Sequence, residues 1–354
     1  MQLRPATDAD ASAWSAFLAR TAAGDFLHDW TWADVAAFDG QPQRRFVLEE
    51  DGAIVALVAA QARPVFGGRE FWYVPHGPVL DYGDPGAGKR LAALVVGLRE
   101  VGRRHRAIAV KLEPRLEPGW SPSLSAFGGR GLRRMEEWLQ VAHTRIVELP
   151  DDDEALIAGF DKDTRYSVRR AEREGVEVTV VEDADDRRAI DDLHGLVAET
   201  QARAGFPLPP LERYRVAWRA LAGAGRAAIL EARREGQLLA SGMVVIEGDR
   251  SFYLFSGSRR EERGEPKRYA SYALQWAMMR HARSRGSRHH DLWGVAPPDA
   301  GPEHPWHGVG LFKKGFGGRE VHWAGSWDRI VNPTLYRLRD ATRIARGWLR
   351  PLRR

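Results

Sequence analysis

One pattern occurs twice in this 354-residue chain, and it limits the fold more than any single motif does. Residues 44–79, RRFVLEEDGAIVALVAAQARPVFGGREFWYVPHGPV, read as three β-rich runs broken at Asp51-Gly52 and Gly67-Gly68, dipeptides that favour hairpin turns. Residues 227–258, AAILEARREGQLLASGMVVIEGDRSFYLFSGS, repeat the plan with breaks at Glu235-Gly236 and Gly248-Asp249. After each meander come a Lys-Arg pair, a helix with apolar spacing of three and four, a basic break and a further strand, at 88–114 and again at 266–295. Helical stretches precede both meanders, at 6–22 with Asp8 and Asp10 near the start, and at 185–204 with Ile190, Leu193 and Val197 at helical spacing. The expectation is a duplicated mixed α/β fold. Its boundary is expected near Pro150-Asp151-Asp152-Asp153, with a first domain over 1–150 and a second over 151–354.

Length agrees with duplication, because single cores stop growing at roughly 250–300 residues. The longest apolar run, AIVALVAA at 53–60, is far short of the ~18 residues of a membrane span, and the opening MQLRPATDAD has no signal-peptide core, so a cytoplasmic protein is expected. With no cysteine the chain has no disulfide, thiolate metal site or thiol nucleophile, and its eleven histidines show no HExxH-type spacing; no metal is expected. A formal charge of +5 and a pI near 9.6 favour polyanionic partners, or reflect an arginine-rich composition alone. The C-terminal stretch 334–354 spaces Leu335, Leu338, Ala345, Leu349 and Leu352 at helical intervals with arginines between them. Such a helix lies on an anionic membrane, grips phosphates, or docks on its own domain.

Two places concentrate cations unusually. Only six of the 53 basic residues are lysine, yet Lys313 and Lys314 are adjacent in HGVGLFKKGFGG (307–318), between Phe312, Phe316 and several glycines. Taken as a strand at a sheet edge, this stretch sends the two lysines to opposite faces, so at most one lines a site. The alternative is two solvated lysines near a hairpin. In DKDTRYSVRRAEREGVEV (161–178), Lys162, Arg165 and Arg169 share one helical face, with Arg170 beside them. That face suits a diphosphate, since guanidinium forks bind phosphate bidentately, or else is a solvated surface paired with Glu172 and Glu174.

The order helix, meander, helix, strand resembles the acetyltransferase-like (GNAT) fold, present twice. Eight pieces in order, FLHDWTW (26–32), YVPHGPV (73–79), VKLEP (110–114), HTRIVELP (143–150), 161–178, YLFSGS (253–258), DLWGV (291–295) and GVGLFKKGFGG (308–318), resemble the Fem family of non-ribosomal peptidyltransferases. The resemblance implies two tandem GNAT-like domains without a coiled-coil arm, residues 183–226 being too short for one. It implies transfer of an amino acid (Gly, Ala or Ser) from aminoacyl-tRNA, as co-substrate with no other cofactor, to the side-chain amine of a peptidoglycan precursor's stem peptide, lipid II or UDP-linked. It points to Lys313 as the catalytic cation and to Arg165 as a phosphate contact. Trp32, Tyr73, His76, Tyr253 and Asp291 are further candidates to line the cleft, with His76 a candidate general base. Three positions depart from the family habit: Ala36 stands where Lys is frequent, Phe255 where Tyr is frequent and His76 where Arg is frequent, so that the base is His76 or the substrate itself.

Aminolysis of an ester needs an unprotonated amine, an activated carbonyl and a cation or donor for the tetrahedral oxyanion; it needs no enzyme nucleophile. A lysine ammonium flanked by Phe312 and Phe316, with Gly315, Gly317 and Gly318 admitting substrate to the backbone, suits that task and can lower a barrier by about 3–4 kcal/mol. Two rivals remain at this stage. An acetyl-CoA-dependent N-acyltransferase needs a pyrophosphate loop opening a helix, yet YGDPGAGKR (82–90) lacks the leading Arg or Gln and EERGEPKRY (261–269) has Pro266 at the last small position. A non-catalytic RNA- or membrane-binding protein would use the basic tail and has no need of a lysine between glycines.

Overall fold

Both meanders fold as the turn signals require. In the structure, a computed structural model describing residues 1–118, 131–204, 208–259 and 269–348, Asp51-Gly52 and Glu235-Gly236 each place two successive residues at positive φ (51° and 79°, 52° and 77°). These are the paired left-handed conformations of a tight hairpin, whose twist matches that of the flanking strands.

The chain begins with β1 (Gln2–Pro5), α1 (Ala11–Arg20), α2 (Trp32–Phe38), β2 (Gln43–Glu50), β3 (Ala53–Pro64), β4 (Glu70–Val74) and β5 (Val79–Leu80). It continues with α3 (Ala87–Arg104), β6 (Ala107–Leu112) and β7 (Leu132–Met135). Next come β8 (His143–Glu148), α4 (Asp153–Ala158), α5 (Lys162–Arg173), β9 (Glu177–Val181), α6 (Arg187–Ala204) and α7 (Leu211–Gly223). The second meander is β10 (Ala227–Arg234), β11 (Gln237–Glu247) and β12 (Arg250–Ser258), followed by α8 (Ala270–Ser284) and β13 (His289–Gly294). The described chain closes with α9 (His307–Gly315), β14 (Arg319–His322), β15 (Ser326–Ile330) and α10 (Pro333–Trp348).

One sheet runs β1-β2-β3-β4-β6-β15-β7, with β5 beside β3; the other runs β9-β10-β11-β12-β13-β8-β14. Apart from β5 they correspond strand for strand, including a parallel pair at the same place in each, β4 with β6 and β12 with β13. A connection between parallel neighbours needs a crossover, and α3 and α8 supply it. α3 buries Leu91, Leu94, Val95, Leu98 and Val101, spaced at three and four, each contributing about 1.5–3 kcal/mol of burial. α8 presents Leu274, Met278 and Met279 to the second core in the same way.

The expected boundary at residue 150 is corrected. The compact units are Met1–Gln140 with Trp323–Arg354, and Val141–His322. The reason is a reciprocal exchange of strands. β8, which follows β7 in the chain, completes the second sheet between β13 and β14, whereas β15, which follows β14, completes the first between β6 and β7. The acidic break at 150–153 is a helix start: the Asp152 side chain accepts the Ala155 amide at 2.6 Å and caps α4.

The C-terminal helix starts on the first unit. Tyr336 is buried with its hydroxyl donating to Asp328 at 2.7 Å, Leu335 packs with Phe71 and Ile108, and the Arg339 guanidinium lies 3.8 Å from the centroid of the Phe71 ring. Leu338, expected on the same stripe as Leu335, is 50% exposed. Residues 349–354, and 261–268 of the second candidate pyrophosphate loop, lie outside the described residues.

Candidate functional site

The Lys-Lys stretch is a helix, not a sheet edge. Its spacing carries the signal: Phe312 and Phe316, four apart, meet at 5.1 Å and join Tyr272 and Phe160 in one aromatic cluster. Adjacent residues on a helix diverge by about 100°. Lys313 is therefore buried (6% exposed) while Lys314 is exposed. The expected separation of the two lysines holds for a different geometric reason. Phe316 is a core residue, and Phe312 is half-buried against that core.

The glycines around the lysines also serve another purpose than the one expected. Gly317 and Gly318 adopt φ of 74° and 69°, and a Cβ on them would lie 2.3 Å from the carbonyl oxygens of Gly159 and Ile146 respectively. They let the chain turn from α9 into β14 against its own backbone. The Gly315 carbonyl accepts the Asp161 amide at 2.9 Å, which joins the end of α9 to the start of α5.

The Lys313 Nζ donates to the carbonyl of Gly294 at 2.7 Å and lies 6.0 Å from the centroid of the Tyr253 ring. Burial pushes its pKa down to about 8, opposed by the field of the Asp291 carboxylate. Among the described residues it forms no ion pair. Asp291 is itself buried, and its Oδ1 accepts the Thr144 hydroxyl and, at 2.8 Å, the Trp293 amide. Gly294 has no room for a side chain: a Cβ there would lie 2.7 Å from Val141 Cγ1 and 3.1 Å from Trp306 Cζ3. Tyr253, a half-buried residue whose phenol burial pushes up to about 12, donates its hydroxyl to Ser256. Lys313, Tyr253 and Asp291 are thus brought together, and Thr144, Trp293 and Gly294 join them. Sequence reading missed those three, although they lie within the HTRIVELP and DLWGV stretches. Their role depends on β8 pairing with β13, which no local signal announces.

The phosphate-type cluster forms as a helix face on α5, capped by the Asp161 side chain on the Thr164 amide at 2.6 Å. Lys162 and Arg169 are exposed, and Arg165 is half-buried with its guanidinium donating to the Phe160 carbonyl. Arg170 pairs with Glu174.

The remaining candidates, Trp32, Tyr73 and His76, belong to the other unit. Trp32 is buried edge-on against Phe26 at 5.1 Å. The Tyr73 hydroxyl donates to Glu113 at 2.6 Å, and burial with that carboxylate raises its pKa well above the usual range. His76, buried at φ 46°, bonds through Nδ1 to Asp25 at 2.8 Å, and the Arg115 guanidinium donates to the same Asp25 oxygen at 2.8 Å. At the first candidate pyrophosphate loop the chain supplies its own anion. Asp84 accepts the Gly86 amide at 2.6 Å at the start of α3 and pairs with Arg90 at 2.9 Å.

Two mixed sheets of one topology, each with a helix between its parallel strands, define a tandem GNAT-type fold. A tandem GNAT protein from the clavulanic acid biosynthesis pathway superposes with a TM-score of 0.52 at 17% identity, covering 94% of this chain and 99% of that one. The crystal structure of FemX superposes far better, with a TM-score of 0.85 at 20% identity over 96% of this chain and 99% of that one. In sequence, the lipid II:glycine glycyltransferase of Staphylococcus aureus (strain MRSA252) is 24% identical across 91% of this chain and 92% of its own length. The FemAB family matches residues 10–118 and 223–343, within both meander-bearing halves, and the chain belongs to that family.

Proposed function

We propose that the protein is an aminoacyltransferase that moves glycine, alanine or serine from aminoacyl-tRNA to the side-chain amine of a peptidoglycan precursor's stem peptide. Family membership and relatives named for glycyl transfer to lipid II support the reading, and those names favour a lipid-linked acceptor over a UDP-linked one. The observation that carries it is Lys313: a buried ammonium, bonded to a backbone carbonyl and not neutralised by an ion pair among the described residues. Such a group is costly to bury and is retained where chemistry uses it.

In the proposed reaction the acceptor nitrogen attacks the ester carbonyl, forming the C–N bond. The oxyanion that develops is stabilised by the Lys313 ammonium. The intermediate collapses by breaking the bond to the ribose oxygen, which takes up the proton lost by the nitrogen. No covalent enzyme intermediate is required. The α5 face with Lys162, Arg165 and Arg169 holds the precursor's phosphates; Arg165→Ala should weaken precursor binding without changing the melting temperature. Peripheral contact with an anionic membrane through 334–354, where Arg337 and Leu338 are exposed, brings the enzyme to a lipid-linked substrate. The test is incubation with charged tRNAs and lysine- or ornithine-containing precursors, read by mass. Gain of one small amino acid on the precursor, dependent on tRNA charging, is expected; a precursor unchanged with every charged tRNA contradicts the reading.

A further inference from the structure

We propose that Thr144 is a positioning residue for Lys313: its hydroxyl pins the Asp291 carboxylate, which holds the turn that delivers the Gly294 carbonyl to the ammonium. The inference rests on the reading that Lys313 carries the transfer.

The geometry is continuous from strand to site. β13 follows β8 in register through Asp291, paired with Ile146, leaves the ladder, and rejoins it at Gly294, paired with Thr144. Such a break re-aims backbone groups. Here it contains Trp293 at φ 64°, a conformation that a bulky residue adopts only when its surroundings impose it. One contact that holds it is the Trp293 amide donating to Asp291 Oδ1 at 2.8 Å. The same oxygen accepts the hydroxyl of Thr144, which is 1% exposed. One turn-forming carboxylate oxygen is therefore shared between the turn it shapes and a hydroxyl on the neighbouring strand. At the far side of the turn the Gly294 carbonyl meets Lys313 Nζ at 2.7 Å. Of the titratable groups, Asp291 reaches the ammonium from β13 and Tyr253 from β12; β8 contributes the uncharged Thr144.

The arrangement also gives the exchanged strand a chemical task. β8 comes from the chain ahead of the second repeat, so the residue that orders the site is far in sequence from the lysine it serves.

The test uses the full chain with Thr144→Val, which keeps the shape and removes the donor, and Thr144→Ser, which keeps the donor. Loss of one hydrogen bond to a charged group is expected to lower kcat by about tenfold, with KM for both substrates unchanged within about twofold. Thr144→Ser is expected to restore kcat. An independent readout is Lys313 itself, one of only six lysines, observed by NMR in isotopically labelled protein and assigned by its absence in Lys313→Met. Its titration midpoint should move to lower pH in Thr144→Val, since a carboxylate that has lost one of its hydrogen bonds is held less firmly toward the ammonium, and should return in Thr144→Ser. If Thr144→Val does not fold, Thr144→Ala replaces it with the same expectations. An unshifted midpoint with unchanged kcat overturns the proposal, as does equal impairment in the Ser and Val variants, which would mean packing alone. A shifted midpoint in a protein that never transfers an amino acid would support the positioning role and remove the function on which it rests.

Discussion

Each unit buries a lysine, and the two are treated in opposite ways. Lys111, on β6, is 3% exposed; its Nζ donates to Ser326 at 2.7 Å and to the Glu137 carbonyl at 3.0 Å, with Asp328 at 3.6 Å and Glu113 at 4.0 Å. Glu113 is in turn held by the Tyr73 hydroxyl and the amides of Leu139 and Gln140. Lys313 is comparably buried but receives a carbonyl and an aromatic face in place of a carboxylate. A buried cation ringed by anions is part of the architecture. One that forms no ion pair among the described residues, with Asp291 acting on it only through its field, keeps its charge available to a substrate, at a cost in stability.

The largest effect should come from removing what surrounds Lys111. A chain ending at His322 loses β15, the strand between β6 and β7, and with it Ser326 and Asp328. The first unit should not fold, which circular dichroism and limited proteolysis would reveal as selective loss of residues 1–140; a protected first unit would show that the exchange is dispensable. Next in size is Lys111→Met. Leaving Glu113 and Asp328 buried without their cation should lower stability by about 3–5 kcal/mol in chemical denaturation, whereas a loss below about 1 kcal/mol would erase the contrast between the lysines.

A smaller effect concerns Lys313 and pH. With the Lys313 pKa near 8, the transfer rate should climb with pH while the acceptor amine deprotonates, and level off near pH 8 as the ammonium is lost. A rate that keeps rising through that range would deny Lys313 a cationic role. The linked stability follows with a definite sign. The unfolded lysine titrates near 10.5 and the folded one near 8, so between those values the unfolded chain binds more protons and stability should rise with pH. That slope should vanish in Lys313→Met.

Much of the fold was legible because its signals are local. Asp51-Gly52 and Glu235-Gly236 announce hairpins, and the spacing of Leu91, Leu94, Val95 and Leu98 announces α3. The strand exchange was not legible, because β8 and β15 read as ordinary strands and their partners are chosen by sheets far away in sequence. At the site, Lys313 was found for its rarity and its place between aromatics, but the many glycines suggested a sheet edge. Glycines at 308, 310, 315, 317 and 318 weaken any helical signal, and only the Phe312–Phe316 spacing favours a helix. Trp32, Tyr73 and His76 sit within motif stretches and are buried, a placement that a motif by itself does not announce.

The most direct test is Lys313→Met, measured for transfer and for unfolding on the same preparation. Transfer should fall by ~10²–10³-fold, the value of a lost oxyanion donor. Stability at pH 7 should hold or rise by up to about 3 kcal/mol, because an unneutralised buried charge has been replaced by an apolar chain of similar length. Undiminished transfer, or a loss of activity that merely follows a loss of fold, would contradict the account.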